Sequence, residues 1–250
     1  SLMTPQNLLA NLSQAQLLKL HNKVDGLPEP EAKLLLGALG REINQRCATD
    51  GLFWLRFVHT RDESDPENAV KPFPIHLSYV SELWGLLVRD QRIVVAKSRQ
   101  MLVSWVMACF ITWWARYKGN QAVYWQTKAY EDAVAMICMP SGGFQGRCQF
   151  IEDNLPVWMR TPYKPSEGRI QYPNGSIIQG LAGGADKIRS KVASLIVEDE
   201  FAYQEDQDGV YTAVAPLIQK GAKAIFVSSP NGAGNMFATL FHGHPVEVAE

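Results

Sequence analysis

From Arg92 to Gly232 the chain alternates short apolar runs with longer stretches of helical spacing. Ile93-Val94-Val95-Ala96, Ala122-Val123-Tyr124-Trp125, Ser194-Leu195-Ile196-Val197 and Ala224-Ile225-Phe226-Val227 are the apolar runs, each ending in polar residues. A strand with one wet face alternates apolar and polar positions, so continuous runs of this kind predict strands covered on both faces. Between them the spacing predicts helices from about Leu102 to Tyr117, near Ala129 to Met139, and from Val210 to Lys220. Arg169 to Tyr172 and Ser176 to Gln179 flank Pro173-Asn174-Gly175, a hairpin signal. Strand and helix in alternation predict an α/β domain with a mostly parallel sheet flanked by helices, because parallel neighbours need helical crossovers.

The region before this has a different pattern. Residues 4 to 48 read as helical, with Leu8, Leu9 and Leu12 ahead of Leu17, Leu18 and Leu20. The turn Asp25-Gly26-Leu27-Pro28 follows, then a helix through Leu34, Leu35 and Leu39. The polar run Thr60 to Lys71 reads as a loop or linker. The expected division is a helical lead-in over 1–60 and one α/β domain over 61–250. Phe53, Trp54, Phe57, Trp113 and Trp114 are most simply core.

Composition narrows the classes. The formal net charge is -1, so no global basic field attracts nucleic acid, and any DNA contact has to come from a local patch. Cys47, Cys109, Cys138 and Cys148 form no CxxC pair and read as buried thiols, which fits a reducing cytoplasm better than disulfides or structural zinc. The most apolar stretch, Met101 to Trp114, is too short to span a bilayer.

Three polar clusters fall at the carboxyl ends of predicted strands, where open α/β sheets bind ligands. In the first, Lys97-Ser98-Arg99-Gln100-Met101-Leu102-Val103-Ser104 joins a strand to a helix. That is the place of a phosphate-binding loop, whose amides and helix N-terminus attract anions. Of the usual GxxxxGK[ST] pattern only the last hydroxyl, Ser104, is present. Lys97 stands at the first glycine position, and Leu102-Val103 at the Gly-Lys positions. Either Lys97 and Arg99 serve phosphate oxygens from the front of the loop, or this is a strand-to-helix turn with two solvated basic residues. In the second cluster, Leu195-Ile196-Val197 delivers Glu198-Asp199-Glu200, the Walker B arrangement. There Asp199 holds the Mg²⁺ shell and Glu200 orients the attacking water, unless the acids form a solvated turn. Glu198 is expected to point away, because strand neighbours alternate faces. The third cluster, Ser228-Ser229-Pro230-Asn231-Gly232, offers hydroxyls and an amide to a γ-phosphate, or is a plain turn.

The ordered set resembles the ATPase domain of phage large terminase subunits over roughly residues 70 to 240. That family has a basic phosphate loop of the form SRQxGK[ST], to which Ser98-Arg99-Gln100 with Ser104 is similar. Some members carry the lysine at the front, as KSxRxxxS, which Lys97 matches. The family's NGS hairpin, its arginine before the acidic strand, its DE pair with a nearby alanine and its [ST][ST]PNG coupling motif are matched in order. The matching residues are Asn174-Gly175-Ser176, Arg189, Asp199-Glu200-Phe201-Ala202, and Ser228 to Gly232. Two departures stand out. Leu102-Val103 removes the familiar Gly-Lys, and the glutamine of the adenine-side motif is absent. Tyr79, followed by Val80 and close to His76, is the stacking candidate, with a core or surface tyrosine as the alternative.

The resemblance implies a P-loop ATPase of the ASCE type, with ATP and Mg²⁺ as cofactors, powering double-stranded DNA translocation into a viral procapsid. Lys97, with Arg99 in reserve, would neutralise phosphate charge across the Lys97 to Ser104 loop, and Ser104 and Asp199 would position Mg²⁺. Glu200 would activate water, Arg189 would sense nucleotide or act in trans (or be a surface arginine), and Ser228, Ser229 and Asn231 would couple hydrolysis to movement. Implied partners are DNA, the small terminase subunit, the portal protein and further copies in a ring, with a monomer expected in isolation and the bacterial host cytoplasm as the location. The family's large subunits carry a nuclease domain after the motor. Beyond Glu205, Asp206 and Asp208, close behind the pair, no acidic cluster follows Asp199-Glu200 before Glu250, and DNA cleavage is not expected of this chain. Two other classes stay open: a helicase-like translocase, and a non-hydrolysing nucleotide- or DNA-binding assembly module. The missing loop glycines favour the second, and the intact acid pair argues against it.

Overall fold

A computed structural model describes residues 9–24, 29–98, 102–141 and 144–243, with backbone alone for 29–36. The turn read at Asp25-Gly26-Leu27-Pro28 and the Arg99-Gln100-Met101 part of the basic loop lie outside the described residues. The chain divides into two compact units, residues 1–75 with 153–161, and residues 76–152 with 162–250.

In the first unit, α1 (Gln14–Val24), α2 (Glu29–Thr49) and the short α3 (Gly51–Trp54) bury Leu17, Leu39, Ile43, Cys47, Phe53 and Trp54. Asp50 starts α3 by accepting a hydrogen bond from the Phe53 amide at 3.0 Å, the usual way an N-cap carboxylate satisfies a first-turn donor. Part of the stretch read as a linker is ordered pairing. β1 (His59–Arg61) and β2 (Val70–Pro72) form an antiparallel pair. Three-residue strands are too short to leave an alternating pattern, so the sequence shows only the polar loop between them.

The second unit carries the predicted α/β pattern. In chain order it contains α4 (Ser78–Arg89), β3 (Arg92–Ala96), α5 (Val103–Tyr117), β4 (Ala122–Thr127), α6 (Tyr130–Ile137) and α7 (Arg147–Asp153). Then come β5 (Lys164–Ser166), β6 (Arg169–Gln171), β7 (Ile177–Ala182), α8 (Ala185–Arg189), β8 (Leu195–Asp199), α9 (Gln207–Gln219), β9 (Lys223–Ser228) and α10 (Met236–His242). The sheet order is β3-β9-β8-β4-β7-β6-β5. The first five strands pair in parallel and β6 pairs antiparallel with both β7 and β5, so this is a seven-stranded, mostly parallel sheet flanked by helices. Tyr124, Ile196, Ala224 and Phe226 cover one face, packed with Val210 and Val214 of α9 and Phe237 of α10. Helix α5 is buried along most of its length, which explains its almost unbroken apolar sequence. All four cysteines are buried, as read for Cys109 and Cys138 from their apolar stretches.

The Asn174-Gly175-Ser176 turn joins β6 to β7 as the hairpin signal predicts, and it also closes α5. The Asn174 amide donates to the Ala115 and Arg116 carbonyls at 2.9 and 3.0 Å, and Ser176 Oγ to the Lys118 carbonyl at 2.6 Å. These are the carbonyls a helix leaves unpaired at its C-terminus. Gly175 is left-handed (φ 85°) and a side chain there would run into Asn120, so glycine is required. Asn174→Ala removes the carbonyls' donor, and we expect it to lower unfolding stability by roughly 1–3 kcal/mol in urea titrations.

Candidate active site

The strand order explains why three clusters far apart in sequence meet. β9 lies between β3 and β8, and all three run the same way, so their carboxyl ends are neighbours on one edge of the sheet. The Lys97 amide extends the pairing one step by donating to the Ser228 carbonyl at 2.9 Å. Ser104 is the second residue of α5, directly after the loop.

Lys97 is the centre of this edge. Its Nζ lies 3.4 Å from Ser104 Oγ, 3.4 Å from Asp199 Oδ1 and 3.1 Å from Glu200 Oε1. The lysine side chain is 11% exposed and that of Asp199 14%. Burial raises the Asp199 carboxyl above its ordinary value; the Lys97 ammonium opposes this and the Glu200 charge adds to it. One cation thus holds two partly desolvated acids together.

Glu200 sits at a sharp corner. Its backbone is left-handed (φ 47°, ψ 41°), a conformation that costs a non-glycine residue about 1–2 kcal/mol. Its amide donates to Asp199 Oδ1 at 3.0 Å, and Ser229 Oγ donates to its carboxylate at 3.2 Å. Ser228 Oγ accepts from the Ala202 amide at 3.2 Å, and Asn231 donates to the Ala202 carbonyl at 2.9 Å. The third cluster therefore braces the turn that carries Glu200.

Glu198 faces away from this group, as strand alternation requires. It is fully buried, accepts from Gln204 Nε2 at 3.1 Å, and leaves Oε1 without a hydrogen bond. Burial pushes its carboxyl from the ordinary 4.5 up to about 8, with the Gln204 hydrogen bond pulling the other way.

The remaining sequence candidates are placed as follows. Ser98 is exposed, Leu102 is half-buried with no side-chain cap on α5, and Val103 is buried in the core. Arg99, Gln100 and Met101 lie outside the described residues. Arg189 ends α8 with a side chain 57% exposed, paired to Asp186 at 3.1 Å and making no contact with the Lys97 cluster. Tyr79 is half-buried in the first turn of α4 and makes no hydrogen bond or ring contact with the cluster. Two glutamines that motif reading passed over, Gln204 and Gln207, bond to the turn after the acids; amides at no fixed spacing leave no motif.

The donor set fits a hard divalent cation. Ser104, Asp199 and Glu200 offer hard oxygens around one positive charge, and the Lys97 ammonium stands where they converge. Among the described residues no group of three or more His, Cys, Asp or Glu side chains is placed to hold a metal ion by itself. No helix among the described residues is long and apolar enough to cross a membrane.

No family model matches the sequence. Solved structures similar to this chain include two of a phage large terminase ATPase domain and one of a phage large terminase. The Thermus phage P74-26 large terminase ATPase domain aligns at TM-score 0.44 and 15% identity, over 60% of this chain and 64% of that one. An arginine-to-alanine mutant of that domain aligns at TM-score 0.42 and 14% identity, over 60% and 63%. The HK97 bacteriophage large terminase aligns at TM-score 0.47 and 12% identity, over 70% of this chain and 37% of that chain. The match thus spans less than two thirds of each neighbour.

Glu198 makes the stability of this edge depend on pH. Between about pH 4.5 and 8 the unfolded carboxyl has lost its proton while the folded one keeps it. The folded state then binds more protons, so stability falls as pH rises, by at most about 1.4 kcal/mol per pH unit, and levels off above the folded value. Glu198→Gln keeps the acceptor for Gln204 and removes the charge. In metal-free protein we expect the variant to gain stability over wild type steadily from pH 5 to pH 8, read as the difference in denaturation midpoint. A constant difference across that range contradicts the assignment.

Proposed function

We propose that this chain is a motor domain that hydrolyses ATP to translocate double-stranded DNA into a viral procapsid, as in a terminase large subunit. The observation that carries the hydrolysis is the convergence of Lys97, Ser104, Asp199 and Glu200 at the carboxyl ends of adjacent parallel strands. A cation, a hydroxyl and two acids gathered after a strand-to-helix loop are the parts that phosphoryl transfer to water needs.

Ser104 and Asp199 are the residues that would hold Mg²⁺, which when bound neutralises charge on the phosphate oxygens. Lys97 supplies the phosphate-binding charge that the buried, apolar Val103 at the usual lysine position cannot. Glu200 orients the attacking water and draws on its proton. Its carboxylate is 38% exposed, open to solvent on one side while Lys97 and Ser229 fix the other. Catalysis of this kind is positioning plus electrostatics. Ser228, Ser229 and Asn231 tie the Glu200 turn to the end of β9, and through this tie a change at the phosphate reaches the rest of the unit. Arg189, exposed at the end of α8, is available to a neighbouring copy in a ring. DNA, the small subunit, the portal protein and the ring itself belong to this reading, as does work in the host cytoplasm with a monomer in isolation.

Three variants test the hydrolysis. Glu200→Gln should lower phosphate release by about two to three orders of magnitude while ATP still binds. Lys97→Ala should weaken ATP binding and lower turnover together, more than Arg99→Ala does. Turnover like wild type in Glu200→Gln contradicts the acid assignment. A harmless Lys97→Ala beside a dead Arg99→Ala moves the phosphate charge to Arg99. If both loop variants are harmless, the loop is no phosphate site, and a non-hydrolysing assembly module becomes the better account.

A further inference from the structure

Glu200 adopts a left-handed backbone without being glycine, and such a conformation persists only where its surroundings over-determine it. Four bonds close the corner. The Tyr203 amide donates to the Glu200 carbonyl at 2.9 Å, and the Gln204 amide to the Phe201 carbonyl at 3.1 Å. The Gln204 side chain then folds back across the corner, its Nε2 donating to Glu198 Oε2 at 3.1 Å and to the Asp199 carbonyl at 3.3 Å. That last carbonyl belongs to the peptide joining Asp199 to Glu200. Gln204 is 4% exposed, and this amide is thus the buried group that grips the backbone on the entry side of Glu200.

We infer that Gln204 is a positioning residue for hydrolysis, holding the Asp199–Glu200 peptide so that the Glu200 carboxylate faces the reacting phosphate. The inference rests on the reading of Glu200 as the catalytic acid. The Gln204 amide bonds the Asp199 carbonyl and Glu198, not the carboxylates of Asp199 and Glu200, and acts through the direction in which Glu200 leaves the turn. The grip comes from the sheet side. The opposite side of the turn is braced independently by Ser228 and Asn231 on Ala202, so removing Gln204 frees one end of the corner and leaves the other attached.

The test uses Gln204→Met, which keeps the volume and removes both donated hydrogen bonds, and Gln204→Asn, whose shorter amide cannot span both acceptors. Steady-state turnover is read beside affinity for ADP and for ADP with aluminium fluoride, both with Mg²⁺. We expect kcat to fall by about a hundredfold, the scale of a 1 Å misplacement, with KM and ADP affinity unchanged. Aluminium fluoride should then tighten ADP binding far less than in wild type. Combined with Glu200→Asp, which also misplaces the carboxylate, the losses should not add, because both act through one group. A wild-type kcat and wild-type fluoride response in both variants overturn the inference while Glu200→Gln is dead. So do losses in KM and kcat alike, or losses that add to those of Glu200→Asp, because a merely structural role behaves that way. If Glu200→Gln itself turns over normally, the reading beneath the inference has failed instead. Should one variant not fold, the other carries the same comparison.

Discussion

The rest of the site depends on one partly buried charge. Asp199 and Glu200 are consecutive acids at the end of a covered strand, and both carboxylates close on the same point. Without a cation between them, desolvation and mutual repulsion would push one to take up a proton or turn away. The Lys97 ammonium removes that conflict, and it comes from a strand two places away in the sheet. Folding the sheet and assembling the charge cluster are therefore one event: β9 pairs with both β3 and β8, and the pairing brings the lysine to the acids. The lysine occupies the position where the oxygens converge, which on the proposed function is where a divalent ion would sit.

Around this pair the molecule is built in layers of restraint. The parallel sheet sets the three strand ends side by side. The Asn174-Gly175-Ser176 turn ends α5, the helix that presents Ser104. The end of β9 and the amide of Gln204 hold opposite sides of the corner at Glu200. Each restraint is a hydrogen bond to backbone rather than to another reactive side chain. The backbone that carries the groups proposed for chemistry is thereby held, while Lys97 and Ser229 bond the Glu200 carboxylate itself.

What could be read from the sequence follows from what leaves a pattern. β4, β8 and β9 are covered on both faces, and a doubly covered strand writes itself as an unbroken apolar run; β3, at the end of the sheet, carries the same run but is only partly buried. The three clusters are legible for the same reason, because each interrupts such a run at its carboxyl end. β1, β2 and β5 are three residues each, too short for any period to show. Helix α4 also carries a signal in its sequence, since Val80, Leu83, Trp84 and Leu87 are buried at helical spacing. Gln204 was not legible, because its role depends on a left-handed glutamate, and nothing in the residue type of Glu200 announces that conformation. Lys97 was legible as a departure from the usual loop and as a match to the front-lysine form, and the structure brings its ammonium to Ser104 and both acids.

On the proposed function, Lys97 would exchange partners, from the two carboxylates to phosphate, when nucleotide and metal bind. A crystal structure with a non-hydrolysable ATP analogue and Mg²⁺ tests this directly. The account predicts Lys97 Nζ on a phosphate oxygen, with the metal in its former place beside Ser104 and Asp199. A nucleotide bound elsewhere, or Lys97 still seated between Asp199 and Glu200 with the analogue in the site, would contradict it.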